Sequence, residues 1–143
     1  AAFPDVLGVN NHMGSKATSD RRVMEAVVEV VAAQNLVFLD SRTTHSTVAE
    51  SVAGDAGLPR LRRDVFLDNV RTPEAISAQL EAALEIADRR GYVVMIGHLT
   101  SKALADVLVD RYDEIVAAGY RFEPLSTLVE GEVRHIAHED TRN

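Results

Sequence analysis

The chain has 143 residues, 46% of them hydrophobic, which is enough to bury the core of one domain without cross-links. It contains no cysteine, and this excludes disulfides and thiolate metal sites. The 15 basic and 22 acidic residues give a net charge of −7, which argues against nucleic acid and anionic membranes as partners. No apolar run approaches the ~18 residues of a membrane span.

Short apolar runs alternate with helical patterns along the whole chain. Five runs predict strands, at residues 6–10, 36–39, 65–67, 92–96 and 122–128. The first strand is expected to be buried, because Val6, Leu7 and Val9 are apolar. Four intervening segments predict helices, at about residues 20–31, 46–56, 72–90 and 101–118.

The predicted strands begin about every 28 to 30 residues, which is the length of a βα unit. Strands and helices that alternate in this way form a parallel sheet with right-handed crossovers. The sequence therefore predicts an α/β fold built from parallel βα units, with no linker that would divide it.

Polar side chains follow the end of each of the first four predicted strands. The first titratable side chains after these four strands are, in chain order, His12, Asp40, Asp68 and His98. Because the carboxyl ends of parallel strands lie on one side of a sheet, we expect these side chains to share one rim. Gly14 is expected to allow the tight passage into the first helix, and Met13 to pack beneath the site.

Two interpretations of this rim remain open. A lone histidine is more often a structural group than a ligand, and polar residues also follow strands simply because loops are solvated. Two histidines with carboxylates between them favour a site for zinc or a similar divalent ion. There is no HExxH motif, so the residues alone predict a hydrolytic metal site in general terms only. The absence of GxGxxG and GxxxxGK[ST] argues against nucleotide binding.

Four segments carry a resemblance to a known family. GVNNHMGSKATSD, FLDSRTTHS, RDVFLDN and IGHLTSKAL, in this order, resemble the divergent polysaccharide deacetylases, relatives of the NodB-type carbohydrate esterases. The resemblance covers residues 1–129 and leaves residues 130–143 as a polar tail. It implies part of a distorted (β/α) barrel of the glycoside hydrolase/deacetylase type. It also implies a metal-dependent hydrolase of the periplasm or cell envelope that removes acetyl groups from N-acetylated saccharides.

The resemblance also implies roles for individual residues. The catalytic side chains it implies are His98, Asp40 and Asp68. The metal ligands it implies are His12 and His98, with zinc as the expected ion. The saccharide-binding side chains it implies are Asn10, Asn11, Ser41 and Arg42.

The sequence departs from the family pattern in two ways. Leu99 stands where the family usually has a proline, and the Asp-Asp pair of the family's first strand is not found. We therefore expect that N-terminal βα units are missing and that these residues do not hydrolyse efficiently alone. An open sheet edge is expected to be covered by self-association. The alternative is a non-catalytic saccharide-binding or scaffold domain that retains the fold.

Overall fold

A computed structural model describes residues 6–129 of the chain. The polar tail predicted over residues 130–143 lies outside the described residues. The described part of the chain divides into two compact units, one formed by residues 6–62 and 124–129 and the other by Arg63–Glu123. The single predicted sheet is correspondingly found as two sheets, one in each unit.

The first unit contains a three-stranded parallel sheet with the order β1-β2-β3. Its elements are β1 (Gly8–Asn10), α1 (Ser15–Thr18), α2 (Arg21–Ala33), β2 (Val37–Asp40), α3 (Ala49–Asp55) and β3 (Leu61–Arg62). Val9 lies opposite Phe38, and Asp40 lies opposite Arg62. The carboxyl ends of β1 and β2 therefore lie side by side, and so do the loops that follow them.

Helix α2 illustrates why the first unit folds as it does. The Asp20 side chain accepts a hydrogen bond from the backbone N–H of Val23 at 3.2 Å and caps the helix. Met24, Val28 and Val31 recur at helical spacing and are buried with residues of β2 and α3. Burial of this apolar face is the main contribution that α2 makes to stability.

The second unit pairs two strands in parallel and packs two helices with them. Its elements are β4 (Val65–Phe66), α4 (Pro73–Arg90), β5 (Met95–Ile96) and α5 (Lys102–Ala117). Thr72 caps α4, and Gly91 ends it in the left-handed conformation with φ 82°. One apolar cluster joins α4 to α5 and includes Ile76, Leu80, Ala83, Leu104, Val107 and Ile115.

Three sequence predictions about the strands are wrong. Residues 122–128 do not form a strand: residues 125–129 are helical. Pro124 explains this, since proline fits the first turn of a helix, and its carbonyl accepts the N–H of Thr127 at 3.0 Å. The run 92–96 forms a strand only at Met95–Ile96. The predicted burial of β1 is also wrong, because Leu7 is 43% exposed beside an edge strand.

The parallel α/β class is confirmed, whereas barrel closure is not. Every strand pair in the described part of the chain is parallel. Both sheets found among residues 6–129 are open. Within this same range, none of the helices combines the length and the apolar character needed to cross a membrane.

Candidate functional site

The loop after β1 bends sharply at residues 12–13. Met13 has φ 59° and Gly14 has φ 81°, so two consecutive residues adopt the left-handed conformation. The Asn11 side chain holds this turn, because its Nδ2 donates to the carbonyl of Met13 at 3.0 Å. The expectation for Gly14 is confirmed. The expectation that Met13 packs beneath a site is wrong, since Met13 is 71% exposed.

Asp40 shapes the loop after β2. Its side chain is buried, with 1% of the residue exposed. Its Oδ1 accepts the backbone N–H of Arg42 at 2.7 Å, and its Oδ2 accepts the hydroxyl of Thr47 at 2.8 Å. These bonds hold Arg42 in the left-handed conformation, with φ 48°. In this structure, Asp40 therefore supports the backbone that presents Arg42.

Direct hydrogen bonds join the two loops. The amide of Asn10 donates to the Ser41 hydroxyl at 3.0 Å, and the Asn11 Oδ1 accepts the Ser41 N–H at 2.8 Å. The hydroxyl of Ser15 donates to the carbonyl of Thr43 at 3.0 Å. Of the residues predicted from the sequence, these bonds bring Asn10 and Asn11 together with Ser41. His12 lies in the first of the two loops, and Asp40 and Arg42 flank Ser41 at the second.

Three further residues hold this loop pair, although the sequence predicted no role for them. Ser15, Thr43 and Thr47 all use their hydroxyls to hold the loops. The signal available in the sequence was the hydroxyl-rich run Thr43-Thr44-His45-Ser46-Thr47 after β2. Hydroxyl side chains compete well for local backbone groups, and this makes such a run typical of a shaped loop.

The second unit brings Asp68 and His98 together. They follow β4 and β5, the two paired strands of its sheet. Nδ1 of His98 lies 3.0 Å from Asp68 Oδ1 and 3.1 Å from Oδ2. The His98 backbone N–H also donates to Oδ1 at 3.1 Å. The imidazole ring packs at a tilt against Phe66, with 5.3 Å between ring centroids.

The surroundings of Asp68 favour its ionised form. Burial raises the pKa of Asp68, but hydrogen bonds from the His98 backbone, the His98 ring and the Ser101 hydroxyl outweigh burial and lower it. Ser101 is itself buried and caps α5. The sequence identified Ser101 as a helix start but gave no sign of its contact with Asp68.

Gly97 allows this pair to form next to α5. A Cβ atom at Gly97 would collide with the side chain of Leu104 and lie 3.4 Å from Asp68 Oδ1. A side chain at residue 97 would therefore force the Leu104 side chain to move.

The described residues do not contain a complete metal centre. Among residues 6–129, no group of three or more His, Asp or Glu side chains is arranged to hold a metal ion. A catalytic zinc usually takes three protein ligands. The shared rim that the sequence predicts for His12 and His98 stays a prediction.

Comparison with known proteins settles the family. The sequence model described as divergent polysaccharide deacetylase matches residues 1–129. The chain belongs to this family. The family match spans both loops of the first unit and the Asp68–His98 pair of the second, so the residues described above lie within the deacetylase-family region.

Two curated relatives of this deacetylase-family chain are described as uncharacterized proteins. YibQ of Escherichia coli K12 is 40% identical over 95 residues, which are 66% of this chain and 30% of YibQ. A protein of Haemophilus influenzae Rd is 37% identical over 101 residues, which are 71% of this chain and 36% of that protein. The chain thus spans about a third of the length of these relatives.

A solved structure shares the fold. The uncharacterized protein ATU2773 from Agrobacterium tumefaciens C58 superposes with a TM-score of 0.80 at 22% sequence identity. The match covers 86% of this chain and 50% of that one. The arrangement of strands and helices described above is therefore found in a crystal structure of another protein.

Proposed function

We propose that this divergent polysaccharide deacetylase acts in the hydrolysis of acetyl groups on N-acetylated saccharides. The proposed functional centre of the second unit is His98, as a metal ligand or as the acid that protonates the leaving group. The observation that carries the proposal is the buried Asp68 carboxylate on His98 Nδ1, at 3.0 Å.

The Asp68–His98 pair is chemically suited both to binding a metal ion and to transferring a proton. A carboxylate that accepts the Nδ1 proton fixes the tautomer and the orientation of the ring. The other ring nitrogen, Nε2, then becomes the atom that can bind a metal ion or transfer a proton. Hydrogen bonds lower the pKa of Asp68, so the carboxylate remains available as the acceptor for the Nδ1 proton.

The proposed cofactor is zinc or a similar divalent ion. His98 is the nitrogen ligand proposed in the second unit, and the ligand role of His12 in the first unit stays a separate prediction from the sequence. Such an ion supplies a Lewis acid that polarises the acetyl carbonyl and makes water more acidic. Residues 6–129 alone do not assemble three ligands, and no catalytic step is derived through the ion. The residues of the first unit proposed to bind the saccharide are Asn10, Asn11, Ser41 and Arg42.

Metal analysis of purified variants tests the proposal. Zinc content after equilibrium dialysis is compared for the wild-type chain, His98→Ala, His12→Ala and the control His45→Ala. We expect zinc bound by the wild type and by His45→Ala, and clearly less in the other two variants. Equal zinc in all four proteins would refute His98 and His12 as ligands.

Activity is measured in parallel as acetate released from an N-acetylglucosamine tetramer with added zinc. Release that disappears in His98→Ala supports the hydrolytic role. We expect these residues alone to release acetate inefficiently, so the zinc comparison and the acetate comparison are interpreted separately.

A second candidate function is a non-catalytic saccharide-binding domain. It is favoured by the absence of a three-ligand group within residues 6–129. It predicts that the tetramer binds equally well with zinc and with EDTA, and that no acetate is released in either condition. Zinc-dependent acetate release would exclude it.

A further inference from the structure

Ser101 lies at the start of α5 and is buried, with 5% of the residue exposed. Its hydroxyl oxygen accepts the backbone N–H of Leu104 at 3.4 Å and so caps the helix. A serine hydroxyl also has one hydrogen to donate, and Ser101 uses it for the Asp68 carboxylate. One side chain therefore contacts both α5 and the carboxylate that holds His98.

Ser101, Asp68 and His98 form a closed set of hydrogen bonds. The Ser101 backbone N–H donates to the His98 carbonyl at 3.0 Å and closes the turn between them. The His98 backbone N–H donates to Asp68 Oδ1 at 3.1 Å, and the ring nitrogen Nδ1 lies 3.0 Å from the same oxygen. The Ser101 hydroxyl completes the set at Asp68. Asp68 is therefore held by His98 and also by the start of α5.

Helix α5 gives the Ser101 hydroxyl a fixed position. Leu104, Val107 and Ile115 of this helix are buried in the apolar cluster that it shares with α4. The two residues between His98 and Ser101 are exposed, so the turn buries no side chain of its own before Ser101. A hydroxyl presented by an anchored helix loses little freedom when it holds a carboxylate.

We propose that Ser101 is a positioning residue of the functional centre, whose hydroxyl holds the Asp68 carboxylate in the orientation that directs the His98 ring. The inference rests on the proposed function only because His98 Nε2 is the atom to be positioned. Removal of an outer partner of a metal-binding histidine typically lowers metal affinity about 10- to 100-fold. A serine that only capped α5 would affect the stability of the helix and leave the His98 ring unchanged.

Three variants separate the capping role of Ser101 from the positioning role. Ser101→Gly removes the hydroxyl, and glycine is nearly as good a helix cap as serine. Ser101→Thr keeps the hydroxyl. The matched control is Thr72→Gly, which removes the hydroxyl that caps α4 in the same unit by accepting the Ala75 N–H at 3.3 Å.

Long-range proton–nitrogen NMR in EDTA, at mildly alkaline pH, measures the state of the His98 ring. We expect a single form with the proton on Nδ1 in the wild type, Ser101→Thr and Thr72→Gly. In Ser101→Gly we expect the Nδ1 proton to exchange with water about tenfold faster, because Asp68 has lost a hydrogen bond to a charged group. An unchanged His98 ring in Ser101→Gly, or the same change in Thr72→Gly, would overturn the proposal.

The wild-type protein provides a test that does not depend on the folding of any variant. We expect the Ser101 hydroxyl proton to be visible in the NMR spectrum, to exchange slowly with water and to lie close to the side-chain protons of Asp68. A Ser101 hydroxyl proton that exchanges as fast as that of an exposed serine would overturn the proposal.

Zinc affinity, measured by equilibrium dialysis, separates this inference from the proposed function. We expect Ser101→Gly to bind zinc about tenfold more weakly than the wild type, Ser101→Thr to retain most of the affinity and Thr72→Gly to retain all of it. No zinc on any of the four proteins, with a disturbed His98 ring in Ser101→Gly, would remove the metal-dependent function and support the positioning role. Equal zinc affinity in all four, with an undisturbed ring, would remove the positioning role and leave the metal ligand in place.

Discussion

Replacement of Asp68 by asparagine tests whether the carboxylate organises the second unit. Asparagine keeps the shape of the side chain but replaces one acceptor oxygen with a donor NH₂ group. In the wild type, Asp68 accepts the His98 backbone N–H at 3.1 Å, contacts the His98 ring at 3.0 Å and accepts the Ser101 hydroxyl. Hydrogen bonds to a charged group contribute about 1.5–3 kcal/mol each, and their losses are not fully additive. We expect Asp68→Asn to reduce the free energy of unfolding by about 2–4 kcal/mol.

Urea denaturation at neutral pH, monitored by circular dichroism, measures this change in the free energy of unfolding. The matched control is Asp113→Asn, which removes one carboxylate from the exposed surface of α5 in the same unit. We expect the control to change stability by no more than about 0.5 kcal/mol. A loss of the same small size in Asp68→Asn would show that the pair contributes little and would refute the reasoning.

The pH dependence gives the same prediction a second test. The pKa of Asp68 is lowered from 3.8 in the folded protein, so the unfolded state binds more protons in this range. The stabilisation by the carboxylate is therefore complete above the unfolded pKa and is lost as the pH falls through the folded pKa. The stability difference between the wild type and Asp68→Asn should be constant near neutral pH and shrink in this acidic range. A difference that grows with acidification would contradict the sign of the shift.

Three further predictions concern other parts of the two units. Gly97→Ala should destabilise the protein by about 1–3 kcal/mol, because the new methyl group collides with Leu104; a denaturation midpoint equal to the wild type would contradict this. Asn11→Ala removes the side chain that accepts the Ser41 N–H. Hydrogen exchange of the Ser41 amide should therefore accelerate, while the Val28 amide in α2 stays protected. Unchanged exchange at Ser41 would show that the bond is dispensable. The exposed apolar side chains next to edge strand β1 predict self-association of the protein. Leu7→Lys should therefore shift the size-exclusion profile towards the monomer. A wild-type protein that elutes as a monomer at all concentrations would contradict this prediction.

The sequence predicted the long helices well because their ends carry strong signals. Thr72 followed by Pro73 begins α4, Gly91 ends it, and Ser101 begins α5. The strands were harder to predict because all five found among residues 6–129 contain only two to four residues. The segment Leu61–Phe66 contributes one strand to each of two sheets, and no periodicity can appear within strands of two residues.

The site residues at strand ends were predictable from topology, but their partners were not. Parallel pairing of β4 with β5 places the following residues together, so Asp68 meets His98. The contacts of Thr47 with Asp40 and of Ser101 with Asp68 depend on loop conformation. The burial and bonding of Asp40 likewise depend on the turn at Arg42, which no sequence pattern specified.

The central claim is that Asp68 holds the His98 ring with its proton on Nδ1, so that Nε2 is the atom that binds zinc or transfers a proton. Long-range proton–nitrogen NMR of the histidine ring measures this directly, at mildly alkaline pH and during a zinc titration. We expect a protonated Nδ1 in the wild type and a zinc-induced chemical shift change confined to Nε2. A proton on Nε2, or a ring that does not respond to zinc, would contradict it.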